Sequence, residues 1–167
     1  MCAGLYRGVA EPLLAGVDEL TFTKLARTAA DWRHVGGALA CCTKLRHLIL
    51  VEMGADDAAM AAFCGALGSG AAPALKTLNL RLNKIGDEGL RHLGDALARG
   101  AAPALEILEL GFNKIGDEGM RHLGDALGRG AAPALKEVGW SSGLVIHGNP
   151  ASEAAQQAVE DALKNRK

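Results

Sequence analysis

Apolar and polar residues alternate from Leu75 to Arg81. Leu78 and Leu80 point one way, while Thr77, Asn79 and Arg81 point the other, the two-residue period of a strand with one buried face. From Asp87 the period lengthens: Leu90, Leu93, Ala96 and Leu97 fall at i, i+3, i+6 and i+7, the stripe of an amphipathic helix. Asp87 reads as the N-cap of that helix, Glu88 suits its positive end, and Arg99 its negative end. Gly100 supplies a left-handed cap, and Pro103 stops the helix before the next strand. One unit is therefore strand, turn, helix and return loop. It cannot bury its apolar side alone, so neighbouring units must stack.

The unit recurs. Pro73–Ala102 returns as Pro103–Ala132 at a period of 30, with Leu75, Leu78, Leu80, Asn83 and Ile85 falling on Leu105, Leu108, Leu110, Asn113 and Ile115. Earlier copies place Leu45, Leu48 and Leu50, then Val17, Leu20 and Phe22, in the same positions. A later one places Leu135, Val138 and Trp140 there. About five repeats are expected over 17–148, starting near 17, 45, 75, 105 and 135. Residues 1–16 are expected to form an N-terminal segment or weak cap, and 149–167 a C-terminal capping helix.

The spacing L-x-x-L-x-L-x-x-N-x-I followed by an amphipathic helix resembles the leucine-rich repeat of the ribonuclease-inhibitor-like type, as in NLR-type receptors and the Ran GTPase-activating protein. The resemblance spans roughly Val17 to Asn149 and is most specific in the two central units. It implies an α/β fold: a right-handed solenoid with a curved parallel β-sheet on the concave side and helices on the convex side. It also implies that Asn83 and Asn113 form a structural ladder. The residues agree, because a side-chain amide can satisfy turn backbone groups that face the interior. Met53 and Gly143 interrupt that ladder, and looser turns are expected there.

The ends depart from the template. Asn149-Pro150 followed by Ala151–Lys164 reads as a helix start with Pro at the first position. Ala154, Ala155, Ala158, Val159, Ala162 and Leu163 make its apolar side. A capping helix and a partner-binding amphipathic helix are the two readings. Between Gly139 and Val145 the template fails, yet looping out six residues would let Ile146–Asn149 restore it. Trp32, on the expected first helix Asp31–Leu39, reads as core or cap.

Composition narrows the class. Lys+Arg number 18 and Asp+Glu 19, a net charge of −1, which argues against a nucleic-acid binder. With 31 Ala and 25 Leu against six aromatic residues, the core suits thin regular layers. No apolar run approaches the length of a membrane helix. Cys2, Cys41, Cys42 and Cys64 form no C-x-x-C pair and read as thiols of a cytoplasmic protein. No phosphate-binding loop, zinc-protease motif or serine-hydrolase elbow occurs. His34, His92 and His122 are equivalent in their units, but Ala62 separates the first two in the column. No metal or cofactor is expected, and no enzymatic activity.

The two central copies differ where binding would occur. From Asn83–Leu105 to Asn113–Leu135, 21 of 23 positions are identical, including exposed helix residues. In the strands, Lys76/Glu106, Thr77/Ile107, Asn79/Glu109, Arg81/Gly111 and Leu82/Phe112 all differ. Stacking puts Glu19, His47, Thr77, Ile107 and Glu137 in one outward column. A second holds Thr21, Ile49, Asn79, Glu109 and Gly139, and a third Thr23, Val51, Arg81, Gly111 and Ser141. The candidate partner-binding residues are His47, Ile49, Val51, Thr77, Asn79, Arg81, Ile107 and Glu109, with Ile49, Val51 and Ile107 as an apolar strip. That mixture suits a protein partner rather than a polyanion or membrane, and a monomer is expected. The repeat type also implies an alternative: a GTPase-activating or other regulatory activator of a partner enzyme. No residue matches that activity beyond the framework.

Overall fold

The leucine pairs mark parallel strands. A computed structural model describes residues 16–24, 28–68, 70–136 and 143–165. Five strands, β1 (Glu19–Thr23), β2 (His47–Val51), β3 (Thr77–Asn79), β4 (Ile107–Glu109) and β5 (Leu144–Val145), form one parallel sheet in chain order. Five α-helices alternate with them among the described residues: α1 (Ala29–Ala38), α2 (Asp57–Ala66), α3 (Asp87–Ala98), α4 (Asp117–Gly128) and α5 (Glu153–Lys164). Each helix packs on the next in sequence order. Residues 1–15, where a weak N-terminal cap is expected, lie outside the described residues.

The core lies between sheet and helices. Leu48, Leu78, Leu108 and Leu144 form one buried column, and Leu50, Leu80, Leu110 and Ile146 the next. From the helices, Met60, Leu90 and Met120 close over them, with Phe63, Leu93 and Leu123 one turn on. Trp32 is fully buried and meets Phe63 edge-on, with 6.0 Å between ring centroids. It belongs to the core, at the end of the column that Met60, Leu90 and Met120 continue.

Three asparagines tie the turns together. Asn83 Oδ1 accepts from the backbone N–H groups of Met53 (3.0 Å) and Ala55 (3.1 Å), while its Nδ2 donates to the Leu50 and Leu80 carbonyls. Asn113 accepts from Ile85 and donates to Leu80 and Leu110. Asn149 accepts from Ile115 and donates to Leu110 and Ile146. Each amide satisfies its own turn and the one before it, which is why an interior position tolerates a polar side chain. Two expectations are corrected. The turn at Met53 is not loosened, because Asn83 supplies its acceptor and Glu52 has nearly the same φ (54°) as Leu82 and Phe112 (57° each). Gly143 is not the last ladder position, because Asn149 fills that role.

The reason is a six-residue offset. Lys136 N donates to the Glu106 carbonyl, as Glu106 N donates to Lys76, so the 30-residue register holds to Lys136. Leu108, however, pairs with Leu144, 36 positions on. The intervening extra residues are 137–142, which lie outside the described residues, as do Glu137, Val138, Gly139, Trp140 and Ser141 of the expected columns. Leu144 and Ile146 hold the places expected for Val138 and Trp140. The start of α5 also moves. Asn149 is committed to the ladder, and the N-cap is Ser152, whose Oγ accepts from Ala155 N.

Helix starts are coupled from unit to unit. Asp87 is the first residue of α3 rather than its cap, and Gly86 holds the cap position without a side chain to offer. Asp57 Oδ1 accepts from Gly86 N at 2.6 Å and Gly89 N at 3.0 Å. Asp87 Oδ1 accepts from Gly116 N at 2.6 Å, and Asp117 accepts from Ser152 N and Oγ at 2.6 and 3.0 Å. Each aspartate thus serves the N-terminus of the following helix, whose orphan N–H groups and dipole favour a carboxylate. The approach requires a missing side chain: a Cβ on Gly119 would stand 2.6 Å from Asp87 Oδ1.

Candidate partner-binding face

The outward strand side chains are exposed on β1 and half-exposed on β2, β3 and β4, while Val145 on β5 is buried. Cα pairing sets Glu19, His47, Thr77 and Ile107 side by side, then Thr21, Ile49, Asn79, Glu109 and Val145. The third column continues through backbone bonds beyond the strands. Glu52 N donates to the Arg81 carbonyl, Leu82 N to Gly111 and Phe112 N to His147. The column therefore reads Thr23, Val51, Arg81, Gly111, His147. Val145 and His147 replace Gly139 and Ser141, a direct result of the six-residue offset.

The apolar strip is split. Ile49 and Val51 sit on β2 and Ile107 on β4, with Thr77 and Asn79 of β3, and Arg81 just beyond it, between them. The middle of the face is polar and bonded. Asn79 Nδ2 donates to Glu109 Oε2 at 2.8 Å, Asn79 Oδ1 accepts from Arg81 N at 3.1 Å, and Arg81 Nη1 stands 3.7 Å from Glu109 Oε2. Three residues from two positions that differ between the central copies, Asn79/Glu109 and Arg81/Gly111, thus meet in adjacent units.

Arg81 extends across the gap left by Gly111. A Cβ there would lie 3.6 Å from both Arg81 Nε and His147 Nε2. The Arg81 guanidinium carbon lies 5.6 Å from the Phe112 ring centroid, within cation–π range. Phe112 meets His147 edge-on at 5.3 Å. Arg81 Nε is buried and has no hydrogen-bond acceptor among the described residues. His147 and Phe112 complete a cluster that the strand columns alone do not indicate. The signal for Phe112 was its difference from Leu82; the offset hid His147.

A row of charge lies just before the strands. Glu106 is held between Lys76 Nζ at 2.7 Å and Lys136 Nζ at 2.6 Å. The hydrogen bonds and positive charge from Lys136 and then Lys76 hold its carboxyl down to about 2. Two thiols are sequestered: burial pushes Cys64 up to about 12 and also raises Cys42. Among the described residues no cluster of three or more His, Cys, Asp or Glu side chains could hold a metal ion. None of the described helices is long and apolar enough to cross a membrane.

A family model described as Leucine Rich repeat matches residues 72–94 and 102–124. No curated protein matches the sequence. Among solved structures, the fold is similar to Leiomodin-1 Actin-Binding Site 2 at a TM-score of 0.68 and 17% identity, covering 99% of this chain and 90% of that one. It is also similar to the tropomodulin C-terminal domain of Caenorhabditis elegans at a TM-score of 0.63 and 14% identity, covering 99% and 93%. At such identities the likeness carries the fold: a parallel sheet with helices in a leucine-rich-repeat arrangement.

Proposed function

Taking this chain as a leucine-rich repeat protein, we propose that it is a non-enzymatic protein-interaction module whose partner docks on the open face of the sheet, centred on Asn79, Arg81 and Glu109. The observation that carries this reading is the bonded cluster itself. Two repeats nearly identical in their helices differ at these outward strand positions, and the differing side chains meet at one place on a half-exposed part of the face. Packing cannot account for that pattern, because exposed helix residues are equally free to change and have not. The finer picture belongs to the same reading: a right-handed solenoid of the ribonuclease-inhibitor-like type, with this face as its concave side, acting as a cytoplasmic monomer. So does the division into an N-terminal segment, repeats over 17–148 and a terminal helix.

The test is capture of partners by the full chain beside an Arg81→Glu/Glu109→Lys variant. Loss of a partner in the variant places the interface here. A partner kept by both moves it to the helices or the chain ends. Actin filaments are a sensible first probe, because the similar leiomodin domain is named as an actin-binding site. At 17% identity the likeness itself does not extend to the partner. Rates of GTP hydrolysis by small GTPases are expected to stay unchanged when the protein is added; acceleration would favour the regulatory-activator alternative.

A further inference from the structure

The turn that leaves each strand places one residue in the left-handed region. Lys24, Glu52, Leu82, Phe112 and Gly148 are equivalent in the stack, with φ of 57°, 54°, 57°, 57° and 75°. Outside glycine this conformation is disfavoured, most of all for bulky residues, so the repeated turn imposes it and only the side chain placed there varies. Three units answer with a charged residue or glycine. The two central ones place Leu82 and Phe112 there, and both are well exposed, at 43% and 45%. They are the exposed large apolar side chains among the described residues.

The strained residues are braced, not loose. Phe112 leans on His147 and lies over Gly148, where a Cβ would come within 2.7 Å of its ring. Leu82 N donates to the Gly111 carbonyl, so the two turns are bonded neighbours about one strand spacing apart, ~5 Å. Two residues on, Lys84 and Lys114 are exposed, while Asn83, Ile85, Asn113 and Ile115 between and beyond them are buried. Leu82 and Lys84 are thus both exposed two residues apart, and Phe112 and Lys114 likewise. Lysines in ion pairs among the described residues are Lys24, Lys76, Lys136 and Lys164; Lys84 and Lys114 are not among them.

We infer that the strand-end rim formed by Leu82, Lys84, Phe112 and Lys114 is a docking surface for a partner segment that sets acidic side chains beside a large apolar one. The apolar residue covers Leu82 and Phe112. The carboxylates meet the ammonium groups of Lys84 and Lys114, which form no ion pair among the described residues and whose charge would repel a basic segment. This surface lies beyond the sheet face proposed above and does not depend on it, although one partner could span both.

The experiment is selection of a displayed random twelve-residue peptide library on the full chain, followed by affinity measurement of the selected peptides. Selected peptides are expected to carry Asp or Glu next to Leu, Phe, Met or Trp. Lys84→Glu/Lys114→Glu is expected to weaken them at least about tenfold, and Leu82→Ser/Phe112→Ser comparably. Affinity should fall as salt rises. Thermal melting confirms that each variant is folded. Selection of no peptide, a basic or uncharged consensus, or indifference to both rim variants overturns the inference. Peptides lost only in Arg81→Glu/Glu109→Lys also overturn it, while supporting the sheet face. Peptides lost only in the rim variants support the rim and leave the sheet-face reading without evidence from this assay.

Discussion

Asp87 opens one helix and caps the next: its Oδ1 lies 2.6 Å from the backbone nitrogen of Gly116, at the N-terminus of α4. Asp87→Ala is expected to destabilise the protein by about 1–2 kcal/mol, the value of a charged cap on orphan helix donors. Glu88→Ala, one residue on and exposed, should stay within about 0.5 kcal/mol. Urea unfolding of the two variants measures the difference. Equal losses would mean that the capping bond is worth no more than a surface charge.

Asn113 is nearly fully buried and bridges Ile85, Leu80 and Leu110. Replacement by Ala leaves the buried Ile85 N–H without its acceptor, while the Leu80 and Leu110 carbonyls keep one donor each from Asn83 and Asn149, and should cost about 1–3 kcal/mol. Asn149 makes the same kind of bonds but is less buried, so water can replace part of what is lost and Asn149→Ala should cost less. Equilibrium unfolding of both variants decides. A reversed order would contradict the ladder account.

Glu106 gives a pH signature. Its folded carboxyl titrates at about 2, held down by Lys136 and Lys76, against an ordinary value of 4.5. A depressed value means that the folded state binds the proton less readily than the unfolded one. The contribution of Glu106 is therefore present above about pH 4.5 and disappears as pH falls toward 2. Carbon-13 titration of the side-chain carboxyl should show a midpoint near 2, moving up in high salt or in Lys136→Met. A midpoint above 4 in low salt would contradict the paired geometry.

Hydrogen bonds bracket the six extra residues between Lys136 and Gly143. Leu108 N donates to the Gly143 carbonyl, so Gly143 stands where Ile107 stands one unit earlier. Deleting residues 137–142 would join two positions that are consecutive in every regular unit. The shortened chain should raise its melting temperature, because the loop between two bonded positions is shorter and the flanking bonds at Lys136 and Gly143 are kept. No change or a fall in melting temperature would count against reading the six residues as an insertion.

The strands and the inward leucines were legible because a period of two can be read along a single chain. Asn83 and Asn113 were legible because an amide recurring at fixed spacing inside an apolar frame has few uses other than satisfying backbone. Asp87 was misread because one dimension shows only the helix it begins, and not the neighbouring helix it reaches. His147 and Val145 were missed on the outward face because an insertion shifts every column after it. The apolar strip divided because Ile49 and Ile107 belong to different columns and to units on either side of β3, an order the stacked columns already carried. Leu82 and Phe112 were visible as a difference, but their strain and exposure depend on a turn geometry that residue type does not announce.

The forward-reaching aspartates bear on how such a chain can change length. If Pro73–Ala102 were excised, Asp57 would find Gly116 where Gly86 had been, and every surviving carboxylate would still meet an amide of the same kind. Insertion of another copy would likewise supply a new acceptor together with a new donor. Unequal exchange between the near-identical central units can therefore shorten or lengthen the protein by whole slabs without orphaning a helix start, which leaves the outward strand residues as the part that each new copy is free to revise.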